Sequence, residues 1–229
     1  MFFQKELCLY CHMPFEEQTG WAGLLFLTEP DLLCEGCRSG LVPILGDQCD
    51  RCSRPMQEQG RCQDCIRWEE TPPIGCALDK NISLYTYNSF MKEYIATFKY
   101  RGDYELARLF GREIRKSAPK ADMILPVPLS EERLSERGFN QARALGEMAG
   151  LKMQEGLVRM HSEKQAKMTR RERIERRQVF EIHPDAPVFK GQTILLIDDI
   201  YTTGTTLRQA AFLLKEAGAR KVLSLTIAR

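Results

Sequence analysis

The sequence predicts an α/β protein in two parts: a small region of paired cysteines over residues 1–75, then a domain with a parallel sheet over residues 76–229. Three observations predict this. All nine cysteines lie at or before Cys76. Beyond it, short apolar runs alternate with stretches of helical spacing, the pattern of strand–helix–strand units in a parallel sheet. Between the two, "EETPPIG" at 69–75 has the proline and glycine content of a linker.

Bulk properties set the outer limits. A chain of 229 residues suffices for one large or two small domains, and a hydrophobic content of 43% supports a packed core. The longest apolar candidate near the start, "GLLFL", is far shorter than a membrane span, and "MFFQKELCLYC" lacks the basic start and apolar stretch of a signal peptide. The expectation is a soluble, cytoplasmic protein without membrane insertion. The net charge of +2 says little about partners, but its distribution says more. Arg159 to Arg177 holds eight Lys or Arg against three Glu, so this stretch is +5 and the rest is 2 − 5 = −3. Such a run is commonly a solvated helix or loop; as a cationic strap for a polyanion it needs an anion site elsewhere.

The first part is organised by four C-x-x-C pairs: Cys8 and Cys11, Cys34 and Cys37, Cys49 and Cys52, Cys62 and Cys65. A C-x-x-C turn lets two thiolates face one point, which is half of a tetrahedral zinc site. Two structural Zn2+ ions in a double zinc ribbon are therefore expected. The pairing is either sequential or cross-braced. Disulfides are disfavoured where thiols stay reduced. A region this short has little core, so metal binding supplies its folding energy. His12 beside Cys11 is a further ligand candidate, though eight thiols already complete two sites. Cys76 reads as an ordinary small side chain.

The second part follows in order. "SLYTY" (83–87) reads as a strand, and 88–100 as a helix with apolar residues at helical spacing. Residues 103–118 make another helix, 122–129 a short buried strand ended by prolines, and 139–150 a helix closed by Gly150. "TILLID" (193–198) is apolar on both faces, as in a covered parallel sheet. Residues 205–219 form an amphipathic helix and 221–228 a final strand, which implies a right-handed crossover.

The chemistry concentrates in "IDDIYTTGTT" between that strand and helix. Ligands of open α/β sheets sit at the carboxyl ends of the strands. Gly204 permits a backbone shape closed to other residues, so the amides of Thr202, Thr203, Gly204, Thr205 and Thr206 can face one concavity with a helix N-terminus behind it. That is a phosphate cradle. Asp198 and Asp199 would repel a bare phosphate but suit a ligand that also brings hydroxyls or a cation. A ribose 5-phosphate brings a phosphate and a vicinal diol. A P-loop needs a lysine after its glycine, and the dinucleotide fingerprint needs three glycines; neither is present.

"ILLIDDIYTTGTT" resembles the phosphoribosyl-diphosphate (PRPP) loop of type I phosphoribosyltransferases. "FKYRGD" (98–103), "LPVPLSEERLSERGFNQA" (125–142), "EKQAKMTRRERIERR" (163–177) and the cysteine knuckles resemble one branch, the ComF family of competence and GntX-like proteins, over nearly the whole chain. The resemblance implies a type I phosphoribosyltransferase-like α/β domain. It also implies displacement of pyrophosphate from PRPP with Mg2+, the acceptor being unnamed. It assigns Asp198 and Asp199 as the catalytic, ribose-contacting acids and residues 202–206 as the 5-phosphate loop. "PVPL" (126–129), with Val127 and Pro128, falls at the pyrophosphate loop. The strap at 163–177, with Lys164, Arg171 and Arg173, matches a mobile cover. Arg133, Arg137, Asn140, Lys99 and Arg101 stand open between substrate contacts and ordinary surface or capping roles. The family implies a part in natural transformation, handling incoming single-stranded DNA beside a ComFA-like helicase. The alternative is a non-catalytic adaptor in DNA uptake that binds PRPP or DNA without turnover.

Overall fold

A computed structural model describes residues 6–16, 31–100, 102–160 and 179–229. The cationic strap, with Lys164, Arg171 and Arg173, lies outside them, as does Arg101.

The central sheet has four parallel strands, β3 (Lys80–Tyr85), β4 (Met123–Pro126), β7 (Thr193–Ile200) and β8 (Lys221–Ala228), in the order β3-β8-β7-β4. β7 explains why both faces must be covered. Its side chains alternate, so Leu195 and Ile197 point one way and Ile194 and Leu196 the other, and all four are fully buried. The 195/197 face packs against α4 (Ser89–Tyr100), α5 (Arg108–Ser117) and α7 (Gln141–Met148) through Tyr94, Phe98, Phe110 and Leu145. The 194/196 face packs against α8 (Thr205–Glu216) through Leu207, Ala210, Ala211 and Leu214. Each large apolar side chain so buried is worth about 1.5–3 kcal/mol before ordering costs.

The cysteine region is held by local geometry and by docking. Strands β1 (Glu6–Leu7) and β2 (Pro14–Phe15) form a short antiparallel pair around the first knuckle. Helices α1 (Glu35–Ser39) and α2 (Gln63–Glu69) begin at Cys34 and Cys62, each in extended backbone. The residues just after the two other knuckles, His12 and Ser53, take left-handed φ values of 58° and 60°. Their amides fold back onto the carbonyls of Cys8 and Cys49. The pairing is sequential, Cys8, Cys11, Cys34 and Cys37 in one group and Cys49, Cys52, Cys62 and Cys65 in the other.

The second group sits in the same apolar core as α8, whereas the first occupies a small separate cluster with Leu33. A buried polar network fastens the second group to the sheet. Ser53 Oγ donates to Asn81 O (3.0 Å), Asn81 Nδ2 to Ser83 Oγ (2.8 Å), and Ser224 Oγ to Asn81 Oδ1 (2.8 Å).

Two expectations need correction, and the linker stretch at 69–75 is closely packed. It runs from the end of α2 into α3 (Ile74–Ala77), and Gly75 is pressed so closely on Trp68 that a Cβ would lie 1.7 Å from the Trp68 carbonyl oxygen. The helix at 103–118 opens with a 3-10 turn over Tyr104–Ala107. The "SLYTY" strand begins three residues earlier, at Lys80. In the second part, helix α6 (Glu131–Arg137) and the antiparallel pair β5 (Leu157–Arg159) and β6 (Phe180–Ile182) go beyond the elements that the sequence predicts.

Candidate functional site

The carboxyl ends of β4 and β7 lie side by side, and a cleft of about 170 Å³ opens there. β4 delivers Val127, Pro128 and Leu129; β7 delivers Asp198, Asp199 and Ile200, followed by Thr202 and Thr206. From the surrounding helices come Lys99, Arg133, Arg137 and Asn140, and from the end of β5 comes Arg159. Four cations (Lys99, Arg133, Arg137, Arg159) thus face two carboxylates. A larger hollow of about 610 Å³ beside the first cysteine group, lined by Tyr10, Glu93 and Tyr100, has no comparable convergence of charge.

Strand alternation separates the two acids. Asp199 continues the face of Leu195 and Ile197, toward α4, and pairs there with Lys99 Nζ. The contact is ionic: Asp199 Oδ2 is buried and lacks a hydrogen-bond partner among the described residues. Asp198 continues the opposite face, and its Oδ1 accepts from the Asp199 amide at 2.9 Å. Burial, then the neighbouring Asp199 carboxylate, push the Asp198 carboxyl well above the usual range. The cations are also crowded. Burial lowers the Arg159 pKa, and Arg133 and Arg137 lower it further by repulsion, Asp198 opposing them. Arg137 Nη1 donates to Gln141 Oε1 at 3.0 Å while its buried Nε has no hydrogen-bond partner among the described residues. A cleft with surplus positive charge and unspent donors favours an anion.

The loop after β7 has the other half of the chemistry. Gly204 sits at φ 79°, the left-handed N-cap of α8, and a Cβ there would lie 2.2 Å from both Arg208 Nη1 and Tyr201 Oη. Glycine is therefore required twice, by conformation and by space. Thr203 Oγ1 and Thr205 Oγ1 share a hydrogen bond of 2.8 Å, and Thr205 N reaches Thr203 Oγ1 at 3.4 Å. No backbone hydrogen bond among the described residues takes the amides of Thr202, Thr203, Gly204 or Thr206. With the first-turn amides of α8 behind them, they form a set of free donors at a helix N-terminus.

The β4 turn contributes differently. The Val127 amide is spent on Ile197 O (3.0 Å) and Pro128 has no N–H, which leaves Leu129 as the amide donor of "PVPL". Asn140 both caps α7 and donates to Val127 O at 3.0 Å, so it fixes this turn. The structure thus brings together Asp198, Asp199, Val127, Pro128, Thr202 and Thr206, with Thr203, Gly204 and Thr205 continuing the loop. Sequence reasoning left Arg133 and Arg137 open and counted Arg159 only as a charge in the strap. Its place at the cleft follows from β5 pairing with β6, which no local signal announces.

Each cysteine group fits a tetrahedral ion. Its four sulfurs lie within 4.8 Å of one another. Cys11–Cys34 and Cys52–Cys62 sulfur separations are 3.7 and 3.6 Å, against about 3.8 Å for the edge of a tetrahedron with 2.3 Å Zn–S bonds. His12 is not among either group's ligand atoms.

Comparison with known proteins agrees with this architecture. The pattern of the phosphoribosyl transferase domain family matches residues 152–229, from β5 through β8. The chain is 38% identical over 231 residues to competence protein ComFC of Bacillus subtilis (strain 168), covering 98% of this chain and 95% of that protein. The chain belongs to the ComF family. A ComFC of Streptococcus pneumoniae (strain ATCC BAA-255 / R6) is 32% identical over 97% of this chain and 99% of its own length. The chain also resembles a chloroplastic amidophosphoribosyltransferase of Vigna aconitifolia, 29% identical over 124 residues that cover 53% of this chain and 24% of that enzyme. The protein is thus a competence-related ComF member with a phosphoribosyltransferase-type domain and two four-cysteine groups suited to zinc ribbons. No helix of the described residues is long and apolar enough to cross a membrane.

Proposed function

We propose that this protein binds PRPP, with Mg2+ carried by the substrate, in the β4/β7 cleft and acts in DNA uptake on incoming single-stranded DNA. The observation that carries the reading is the conjunction, within one cleft, of free loop amides at a helix N-terminus, a pair of carboxylates and an excess of cations. Each matches a different part of the ligand. The amides of Thr202, Thr203, Gly204 and Thr206 hold the 5-phosphate. Asp198 and Asp199 accept from the ribose diol, and Lys99 swings from Asp199 toward the anionic leaving group. Arg133, Arg137 and Arg159 face the pyrophosphate and relieve their mutual repulsion on it.

If transfer follows, the bond from the anomeric carbon to pyrophosphate breaks with the electron pair leaving on pyrophosphate. Positive charge then develops on the sugar beside the two carboxylates while the cations stabilise the leaving group. The acceptor's lone pair forms the new bond. Lys164 and the basic stretch at 163–177 belong to this reading as further cations for the pyrophosphate. The two cysteine groups hold structural Zn2+ in this reading, and the names of the ComF relatives support the link to competence.

The test is calorimetric titration of PRPP and of ribose 5-phosphate, with and without Mg2+, followed by an assay for pyrophosphate release with single-stranded DNA or nucleobases. Binding with release supports a transferase, and binding without release an adaptor. Absence of any PRPP binding removes the reading.

A further inference from the structure

The phosphate loop is held from behind by the second cysteine group. α2 is preceded by its N-cap Cys62, carries Cys65, and three residues later places Trp68 against the loop. Trp68 Nε1 donates to Thr203 O at 2.9 Å, across 135 residues of sequence. A second link is Arg208, in the first turn of α8 and only 3% exposed. Its guanidinium lies over the Trp68 ring (4.8 Å) and spends every arm. Nε donates to Gly75 O (3.2 Å), Nη1 donates to the Tyr201 hydroxyl, and Nη2 reaches Cys65 Sγ at 3.8 Å. Tyr201 directly precedes the loop and is itself buried. Among the described residues Arg208 has no carboxylate partner. Four thiolates around Zn2+ would leave a net charge of about −2 next to it, the counter-charge a buried guanidinium needs. The missing Cβ of Gly204 is what allows Arg208 and Tyr201 to meet under the loop. The first cysteine group makes no such link among the described residues; its neighbours are Leu33, Tyr10 and Phe90.

We propose that Arg208 and Trp68 are positioning residues that couple the metal-bound second cysteine group to the phosphate loop, so that loading of Cys49, Cys52, Cys62 and Cys65 sets the loop's order and its affinity for a phosphorylated ribose. The affinity part rests on the PRPP reading above; the ordering part does not. Outer-shell donors to a metal's thiolates orient both the ligand and whatever they bridge to. Because coupling is reciprocal, a phosphate held by the loop must tighten the metal by the same factor.

The experiment uses the full chain with both sites loaded. Trp68→Phe keeps a smaller ring beside Arg208 and removes the hydrogen bond to Thr203; Arg208→Lys keeps a charge and loses the fork. Hydrogen exchange of the amides at 199–207 is expected to speed up by at least about fivefold in either variant, with two zinc ions per chain retained. Exchange in α5, far from the loop, should stay unchanged, which separates loop loosening from global destabilisation. The zinc affinity of the second group, read at equilibrium by competition with a chromophoric chelator, should rise when saturating ribose 5-phosphate is added to the native protein, by the factor by which zinc raises ribose 5-phosphate affinity, and should rise less in Trp68→Phe. Unchanged loop exchange in both variants overturns the proposal. Ribose 5-phosphate that binds without raising the zinc affinity of the second group overturns the affinity part. If the native protein binds no phosphorylated ribose, the PRPP reading fails while the exchange result still decides the coupling.

Discussion

Lys99 Nζ and Asp199 Oδ2 form an ion pair at the wall of the cleft, with side-chain exposures of 19% and 9%. The pair joins the last turn of α4 to the end of β7, and it neutralises one of two adjacent acids. Lys99→Met removes the compensation and leaves a buried carboxylate beside Asp198. Loss of one partner from a fully buried pair costs about 3–5 kcal/mol; with this residual exposure we expect about 2–3 kcal/mol. Thermal unfolding checks it. In the double variant with Asp199→Asn most of that loss should be recovered, and a purely additive result would show that the pair is not coupled.

Asp198 gives a pH prediction. Its folded-state pKa is raised, by burial first and Asp199 second. A raised acid binds protons more tightly in the folded state than in the unfolded chain. Its contribution to stability is therefore complete at low pH and is lost as pH climbs from about 4 through the raised folded value. At neutral pH Asp198→Asn should stabilise the ligand-free protein, raising Tm by about 2–4 °C for each kcal/mol relieved. The gain should vanish near pH 4. The same variant should bind PRPP more weakly, the signature of an acid kept for function at the expense of stability.

Gly204→Ala forces a side chain into left-handed backbone and into the Arg208–Tyr201 contact. We expect a loss of about 1–3 kcal/mol of stability and at least about a tenfold loss in affinity for ribose 5-phosphate. Thr205→Ala, which keeps the backbone, should lose less than Gly204→Ala. Equal affinities for the native protein and Gly204→Ala would mean that the amides of this loop do not hold the phosphate.

Arg159 should distinguish the two ends of the ligand. Arg159→Met should weaken PRPP by about 10–100-fold and leave ribose 5-phosphate nearly unaffected, since it removes one charge-assisted contact to the leaving group alone. The variant should also relieve repulsion with Arg133 and Arg137, so the ligand-free Tm should not fall. Equal weakening of both ligands would place Arg159 elsewhere.

Metal removal should be biphasic. All four cysteines of the second group are buried, while Cys11 is exposed and Cys34 partly so in the first. A chelator should take one zinc quickly and the other slowly, and only loss of the slow one should lower the stability of the α/β domain.

Much of this was legible in the sequence because local signals and global packing agree. In β7, "TILLID" is apolar on both faces because both faces are covered, and Gly204 marks the left-handed turn into α8. The C-x-x-C spacings point to two four-cysteine groups, but only the fold shows that the knuckles pair sequentially. Helix α6 was passed over because none of its residues is buried, so no apolar stripe appears; its Ser130 cap and left-handed Gly138 were the available signals. β5 and β6 are three residues each and are brought together across twenty intervening positions, beyond the reach of periodicity. Glycine and proline in "EETPPIG" signalled a linker, where the structure uses Gly75 for close packing on Trp68. The contacts of Trp68 with Thr203 and of Arg208 with Cys65 span more than 130 positions and leave no local trace.

The most direct test of the central claim is calorimetric titration of PRPP with Mg2+ into the native chain and into the Asp198→Ala, Asp199→Ala double variant. The account predicts saturable one-site binding to the native chain and at least about a hundredfold weaker binding to the variant, with both proteins folded. Equal affinities, or no binding to the native chain, would contradict it.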